Sequence, residues 1–194
     1  MTKTKVSTFS AHAFGVDLSE LYLPFFNGMG PAIEKTFSAV KSLSSDPSRI
    51  LDLASGPGEP GCTLAAGFPS AVVICSDLAQ PMVDLASNRA RLKGLSNVKT
   101  MLLDLTSMTD IPSASQDVVT AHFVITNIPI VQQALKEINR VIKPGGFLVG
   151  TVWQTFSIIP LANEVIREIG EHDYQLVSLF WIIPHSQFDP EHQN

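Results

Sequence analysis

The chain has 194 residues, 45% of them hydrophobic and 16% charged, with a formal net charge of -5, which is enough to fill one core and too little for two full domains. It has no basic stripe, which argues against a nucleic-acid surface and for a small-molecule partner, and no apolar run approaches the ~20 residues that span a bilayer. Cys62 and Cys75, the two cysteines, fall in apolar helix and strand patterns and read as reduced buried thiols of an intracellular protein, from which no metal site follows.

The first stretch, MTKTKVSTFSAHAF, has Lys3, Lys5, several hydroxyl residues and no acid before Asp17. That composition is shared with organelle leaders, but it lacks arginine, so a cytoplasmic protein with an ordinary frayed terminus is the expectation. From residue 31 onward helical and strand patterns alternate, which predicts parallel β-α units stacked in one sheet. Ile33, Phe37 and Val40 mark a first amphipathic helix, ended by the polar stretch Ser44 to Ser48, and Ile50 to Leu53 form the first strand. Gly56, Pro57, Gly58 and Gly61 then bend the chain so that backbone amides are predicted to face outward, and Pro60 suits the first turn of a short helix running to Ala66. The positive end of that helix would receive a carboxylate or phosphate.

Ala71 to Ser76 reads as a second buried strand ending at Asp77, followed by a helix from Pro81 that turns Met82, Leu85, Ala86 and Ala90 inward and closes at Gly94. Val98 to Leu103 is a third strand ending at Asp104, and Asp117 to Thr126 a fourth. Val131, Ala134, Leu135, Ile138, Val141 and Ile142 recur at helical spacing until Lys143 to Gly146 stop the helix before the strand Phe147 to Trp153. A further helix face runs from Ile158 to Ile169. The apolar run Tyr174 to Ile183 fits a helix or a buried strand, and the polar tail Pro184 to Asn194 reads as disordered. The fold class is therefore α/β, a Rossmann-like, doubly wound, mostly parallel sheet in three α/β/α layers. It divides into a helical cover segment over 1–48, a core over 49–153 and a short C-terminal cover over 154–194.

In open sheets of this kind ligands bind outside the carboxyl ends of the strands, so Asp77 and Asp104 should share a crevice with the glycine bend. Gly56, Gly58 and Gly61 satisfy G-x-G-x-x-G, with Asp77 at the distance of a ribose-binding acid, the pattern of a nicotinamide dinucleotide site. Asp52 inside the preceding strand would repel a pyrophosphate, whereas a cofactor carrying an ammonium and a sulfonium gains from nearby acids. Asp52, Ala54, Ser55, Gly56 and Gly58 resemble the first motif of the class I S-adenosylmethionine-dependent methyltransferases, acid, small residue, then Gly-x-Gly, with Ala54 where the first glycine usually stands. The resemblance spans residues 49 to 153, and the segment AHFVITNIPIVQQALKEINRVIKPGG is similar to the small-molecule branch that includes the quinone-biosynthesis enzymes.

The resemblance implies S-adenosylmethionine as cofactor. It implies that Asp77 holds the ribose hydroxyls, that Leu78 and Met82 flank the adenosine, that Asp104 and Leu105 meet the adenine, and that His122 passes the methionine end near the reacting methyl. Methyl transfer from a sulfonium is an in-line displacement that asks mainly for alignment in a dry site. A base is needed only for an unactivated hydroxyl, and His122 or a histidine of the C-terminal segment could then serve. Tyr22, Phe25, Phe26 and residues 154 to 183 would cover an apolar small-molecule acceptor.

Family members close the sheet with an antiparallel hairpin, and that strand pair is not readable in 154–194. This leaves an exposed edge that would favour a second copy or a partner chain. An NAD(P)-dependent oxidoreductase and a truncated, non-catalytic cofactor-binding or interaction module are the competing readings. Each residue also has a structural alternative: Asp52 as a turn cap, Asp77 as a helix N-terminal acid, Asp104 as a turn opener, His122 as a hydrogen-bonded core histidine, Asp117 as a strand start, and Lys143 as a helix C-terminal charge.

Overall fold

The computed structural model describes residues 29–125 and 128–152, and residues 180–184 as backbone. In chain order these form α1 (Gly30–Leu43), β1 (Arg49–Leu53), α2 (Gly61–Gly67), β2 (Val72–Asp77), α3 (Gln80–Leu92), β3 (Val98–Leu102), β4 (Gln116–His122), α4 (Val131–Val141), β5 (Ile142–Thr151) and β6 (Phe180–Pro184). The strands lie in the order β3-β2-β1-β4-β5-β6, all neighbours parallel except the last pair. From β1 the chain winds outward to β3, then crosses back to β4 on the other side. The reversal of strand order, where ligands settle in such sheets, therefore falls between β1 and β4.

Strand side chains alternate between faces, and the two faces have different coats. Ile50, Val73, Cys75, Val118 and Val149 meet Ala39 and Val40 of α1, Leu64 and Ala65 of α2 and Ala86 of α3. On the opposite face Leu51, Leu53, Ile74, Val119, Ala121 and Leu148 meet Ile138 and Val141 of α4, together with Met108 and Ile111 from the β3–β4 connection. The expected α/β/α sandwich is thus present, and α1, within the 1–48 segment, packs directly into its core. No helix among the described residues is long and apolar enough to cross a membrane.

Several local expectations are corrected. β4 ends at His122, not Thr126, because Phe123 turns into the left-handed region at φ 56° and donates its N–H to the Thr151 carbonyl at 2.9 Å. Ile142 and the Lys-Pro-Gly-Gly stretch belong to β5, where the pairing shifts register between Gln116 and Val118. Lys143 reaches back to Asp117 (2.6 Å), and Asp117 also accepts Ser48 N–H and Arg49 N–H, so both charges serve the amino end of the sheet. In α3 the inward residues are Val83, Ala86 and Ala90, while Met82 and Leu85 are half-buried. Part of the ambiguous apolar run is a strand, since β6 pairs antiparallel along the β5 edge from Thr151↔Phe180 to Phe147↔Pro184. Pro184 ends that strand rather than starting the tail. The aromatic cover at Tyr22, Phe25 and Phe26, the helix over 158–169, Trp153 and the tail 185–194 lie outside the described residues.

Ala54, directly after β1, sits at φ 51°. An L side chain there is disfavoured by ~1–2 kcal/mol, and glycine gives back part of that gain through its freer unfolded chain. Ala54→Gly is therefore expected to stabilise the fold by up to about 1 kcal/mol, read as a rise of a few degrees in unfolding midpoint by calorimetry. A lower midpoint would show that the methyl is held by packing that outweighs its backbone strain.

Candidate functional site

Every backbone N–H from residue 55 to 64 has a partner inside the protein. Ser55 donates to the Ser76 carbonyl, Gly58 and Glu59 to the Ser55 carbonyl, Cys62 to the Gly58 carbonyl and Leu64 to the Pro60 carbonyl. Gly56 donates to Asp77 Oδ2 at 2.9 Å, Gly61 to Asp52 Oδ2 at 2.8 Å and Thr63 to Glu59 Oε2 at 3.0 Å. Residues 57 and 60 are prolines and have no N–H. The prediction that these amides face outward to an anion is therefore corrected. Two carboxylates of the chain itself, Asp52 and Glu59, already occupy the start of α2.

Close packing explains the glycines. A Cβ at Gly61 would lie 2.3 Å from Cys75 Sγ and 2.9 Å from Asp52 Oδ2. Gly58, at φ 101°, would carry a Cβ 3.1 Å from the Ala86 backbone, so the bend lies flat against α3. Cys62 and Cys75 are buried free thiols beneath it.

Asp52 is fully buried, with Oδ1 accepting the Thr120 hydroxyl at 2.6 Å and Oδ2 accepting Gly61 N–H. Its place among the ligand contacts is corrected on that ground: it holds the bend from beneath. Burial pushes its carboxyl up to about 7 from 3.8, against the Thr120 and Gly61 hydrogen bonds, and the Glu59 and Asp77 charges add to the rise. A folded pKa above the unfolded one gives stability that is complete below about pH 4 and is lost as pH rises through 7. Asp52→Asn keeps an acceptor for Gly61 and a polar partner for Thr120 without titrating. The variant is expected to gain on wild type progressively from pH 4 to 8, by roughly 1–3 kcal/mol at the upper end, in unfolding melts run as a pH series. A difference that does not change with pH would show that the carboxyl is charged throughout.

Asp77 stands at the end of β2, half-buried, and ties the bend to α3 through Gly56 N–H on Oδ2 and Ala79 N–H on Oδ1 (3.0 Å). Each carboxylate oxygen accepts two hydrogen bonds, so both retain capacity for a ligand. Burial raises its pKa despite the N–H groups of Ala79, Gly56 and Leu78. Beside it Leu78 is 66% exposed, a large apolar side chain at the rim. Asp104 is exposed and uses Oδ1 for Thr106 N–H (2.8 Å) and the Thr106 hydroxyl (2.6 Å), so it does open a turn, and Leu105 leans on the core of the α4 face.

His122 ends β4 on the same face as Asp52 and Thr120. Its Nδ1 is 3.0 Å from the Thr151 hydroxyl and 3.4 Å from that of Thr36, its ring meets Phe123 edge-on, and Nε2 is buried with no partner. Burial lowers its pKa to about 4, with the Glu59 charge opposing. An imidazole that takes up a proton only near pH 4 is neutral at pH 7 and a weak base there.

Sequence reasoning passed over Glu59, which is 5% exposed and accepts Lys93 Nζ at 2.7 Å, Arg89 Nη1 at 3.2 Å, Thr63 N–H and the Thr63 hydroxyl. Two cations four residues apart, Arg89 in the last turn of α3 and Lys93 at its C-cap, were the available signal.

A family described as "Methyltransferase domain" matches residues 51–150. The demethylmenaquinone methyltransferase of Thermus thermophilus is 37% identical over 108 residues, 56% of this chain and 48% of that protein. The methyltransferase tpcH of Aspergillus fumigatus is 28% identical over 169 residues, 84% of this chain and 57% of that one. Among solved structures, the [4+2]-cyclase SpnF superposes with a TM-score of 0.56 at 28% identity, covering 61% of this chain and 44% of that one. The chain spans about half the length of the curated relatives it matches. With the doubly wound sheet, the glycine bend and Asp77 in place, and with the family match running from β1 to the end of β5, the chain belongs to the methyltransferase-domain family of class I S-adenosylmethionine-dependent methyltransferases.

Proposed function

We propose that this chain binds S-adenosylmethionine at the carboxyl ends of β1, β2 and β4 and transfers its methyl group to a small, largely apolar acceptor of the quinone type. The observation that carries this reading is Asp77, a half-buried carboxylate fixed by two N–H groups with lone pairs to spare beside the exposed Leu78. Asp77 receives the ribose hydroxyls, Leu78 and Met82 flank the base, and Asp104 accepts from its exocyclic amine through the oxygen that Thr106 does not use. When bound, the cofactor supplies an electrophilic methyl on a sulfonium. The protein's part is to align the acceptor behind that carbon and exclude water.

The committed amides of residues 55 to 64 weigh against the dinucleotide reading, because a pyrophosphate needs free N–H donors at the bend and the start of α2. A quinone-type acceptor is suggested by the demethylmenaquinone relatives. Because a [4+2]-cyclase shares the fold, transfer has to be tested and not only binding. Parallel calorimetric titrations with S-adenosylhomocysteine and NAD are expected to show binding of the first alone. Labelled methyl should then pass from S-adenosylmethionine to a demethylated quinol. Binding of NAD alone would overturn the reading.

A further inference from the structure

The carboxylate of a methionine-type tail needs hydrogen-bond donors, and the usual ones are taken. All N–H groups of the bend and of the first turn of α2 are bonded within the protein. Among the described residues, the cations that reach the bend, Arg89 and Lys93, are committed to Glu59.

Two buried side chains at the carboxyl ends of the strands have atoms without any partner: Ser55, 1% exposed, at Oγ, and His122, 8% exposed, at Nε2. They flank the reversal of strand order, since Leu53 and Ala121 are register partners, Ser55 follows the first by two residues and His122 follows the second by one. A buried polar atom left unbonded is destabilising and marks a place where something else completes the bond.

Two hydroxyls face the other ring nitrogen. Thr151 Oγ1 accepts Phe123 N–H at 3.1 Å and can turn its own proton to His122 Nδ1, which the Thr36 hydroxyl also faces. In that arrangement Nδ1 is the acceptor and the ring proton sits on Nε2, the tautomer on which the assignment below rests. Resting on the methyltransferase reading, we infer that His122 Nε2–H and the Ser55 hydroxyl together hold the carboxylate of the cofactor's amino-acid tail. His122 is thereby a binding donor set by Thr151 and Thr36. Ser55 adds a second donor from the neighbouring strand end.

The test compares two nucleosides on the full chain: S-adenosylhomocysteine, which has the carboxylate, and 5′-methylthioadenosine, which lacks the amino-acid tail. Wild type should prefer the first. In His122→Phe and Ser55→Ala that preference should shrink by about ten- to a hundredfold for the histidine and less for the serine, with methylthioadenosine affinity unchanged. On wild type alone, the His122 Nε2 resonance should shift with S-adenosylhomocysteine and stay in place with methylthioadenosine, a readout that a structural role would not move and that needs no folded variant. Equal losses for both nucleosides, or no wild-type preference between them, would overturn the carboxylate assignment while leaving the nucleoside site standing. Failure of wild type to bind either would overturn the reading it rests on, and this inference with it.

Discussion

Asp77→Ala is expected to weaken S-adenosylhomocysteine binding by a hundredfold or more, about 3 kcal/mol, while the chain remains folded. On the proposed reading the carboxylate has two roles: it would offer an acceptor to the ribose hydroxyls, and it fixes the bend by accepting Gly56 N–H and the start of α3 by accepting Ala79 N–H. Alanine removes both: the freed Ala79 N–H lies at a half-buried rim where water can reach it, whereas Gly56 is buried, so a stability loss of about 1 kcal/mol accompanies the larger loss of binding. Asp77→Asn separates the two roles. The amide keeps one acceptor for a backbone N–H but presents donors to hydroxyls, and an intermediate loss of binding with near-normal stability is expected. Burial raises the Asp77 pKa, and the proposed grip on the ribose needs the ionised form. Affinity should therefore fall with acidification at a higher pH than an ordinary carboxylate would give. Calorimetric titration of the three proteins at neutral and acid pH checks each part, and an unchanged affinity in Asp77→Ala would remove the site from this end of the sheet.

The parts of this site that depend on local pattern were legible, and those that depend on distant partners were not. β1 announces itself as an apolar run broken by Asp52 and β2 as one ending in Asp77, and the three- and four-residue spacing of Ala134, Ile138 and Val141 gives α4 directly. The placement of Asp77 beside the glycine bend follows from topology alone. By contrast, the end of β4 is set by Phe123 bonding to Thr151, 28 residues ahead, and no property of the segment Phe123 to Thr126 reveals it. The Lys-Pro-Gly-Gly stretch looks like a helix stop from its composition, yet it extends a strand because the bulge at Gln116 and the Lys143–Asp117 pair accommodate it. The run before residue 184 fits two periods equally well, and only the free edge of β5 selects a strand. Outward amides are the natural reading of a glycine-rich bend. That reading fails here because Asp52, nine residues before Gly61, and Glu59 turn inward to cap them.

Glu59→Ala is expected to be the most destabilising single change in the bend, costing about 3 kcal/mol, at the lower end of what removal of one partner from a buried ion pair costs. Glu59 is 5% exposed, and its two oxygens accept four hydrogen bonds, from Arg89 in the last turn of α3 and Lys93 at its C-cap on one side and from the N–H and hydroxyl of Thr63 in α2 on the other. It therefore clamps the two helices that frame the bend, and its loss also uncaps the first turn of α2. The lower end applies because the cations left behind are not sealed in: the Arg89 and Lys93 side chains are 22% and 46% exposed and can turn to water. Glu59→Gln should be less damaging than alanine, since its carbonyl still accepts from Thr63, but its amide faces two cationic donors. Burial disfavours the charged form of Glu59, yet the hydrogen bonds and charge of Lys93 and the bonds from Thr63 outweigh it and hold the carboxyl below its ordinary 4.5. With a depressed folded pKa the contribution is complete above the unfolded value and is lost as pH falls through the folded one. The gap in unfolding free energy between wild type and Glu59→Gln should accordingly stay constant near neutrality and close only below about pH 4, the opposite trend to that of Asp52→Asn. Denaturant melts at pH 7 and pH 3.5 separate the two carboxylates. A gap as wide at the lower pH would mean that Glu59 acts through packing and not through its charge.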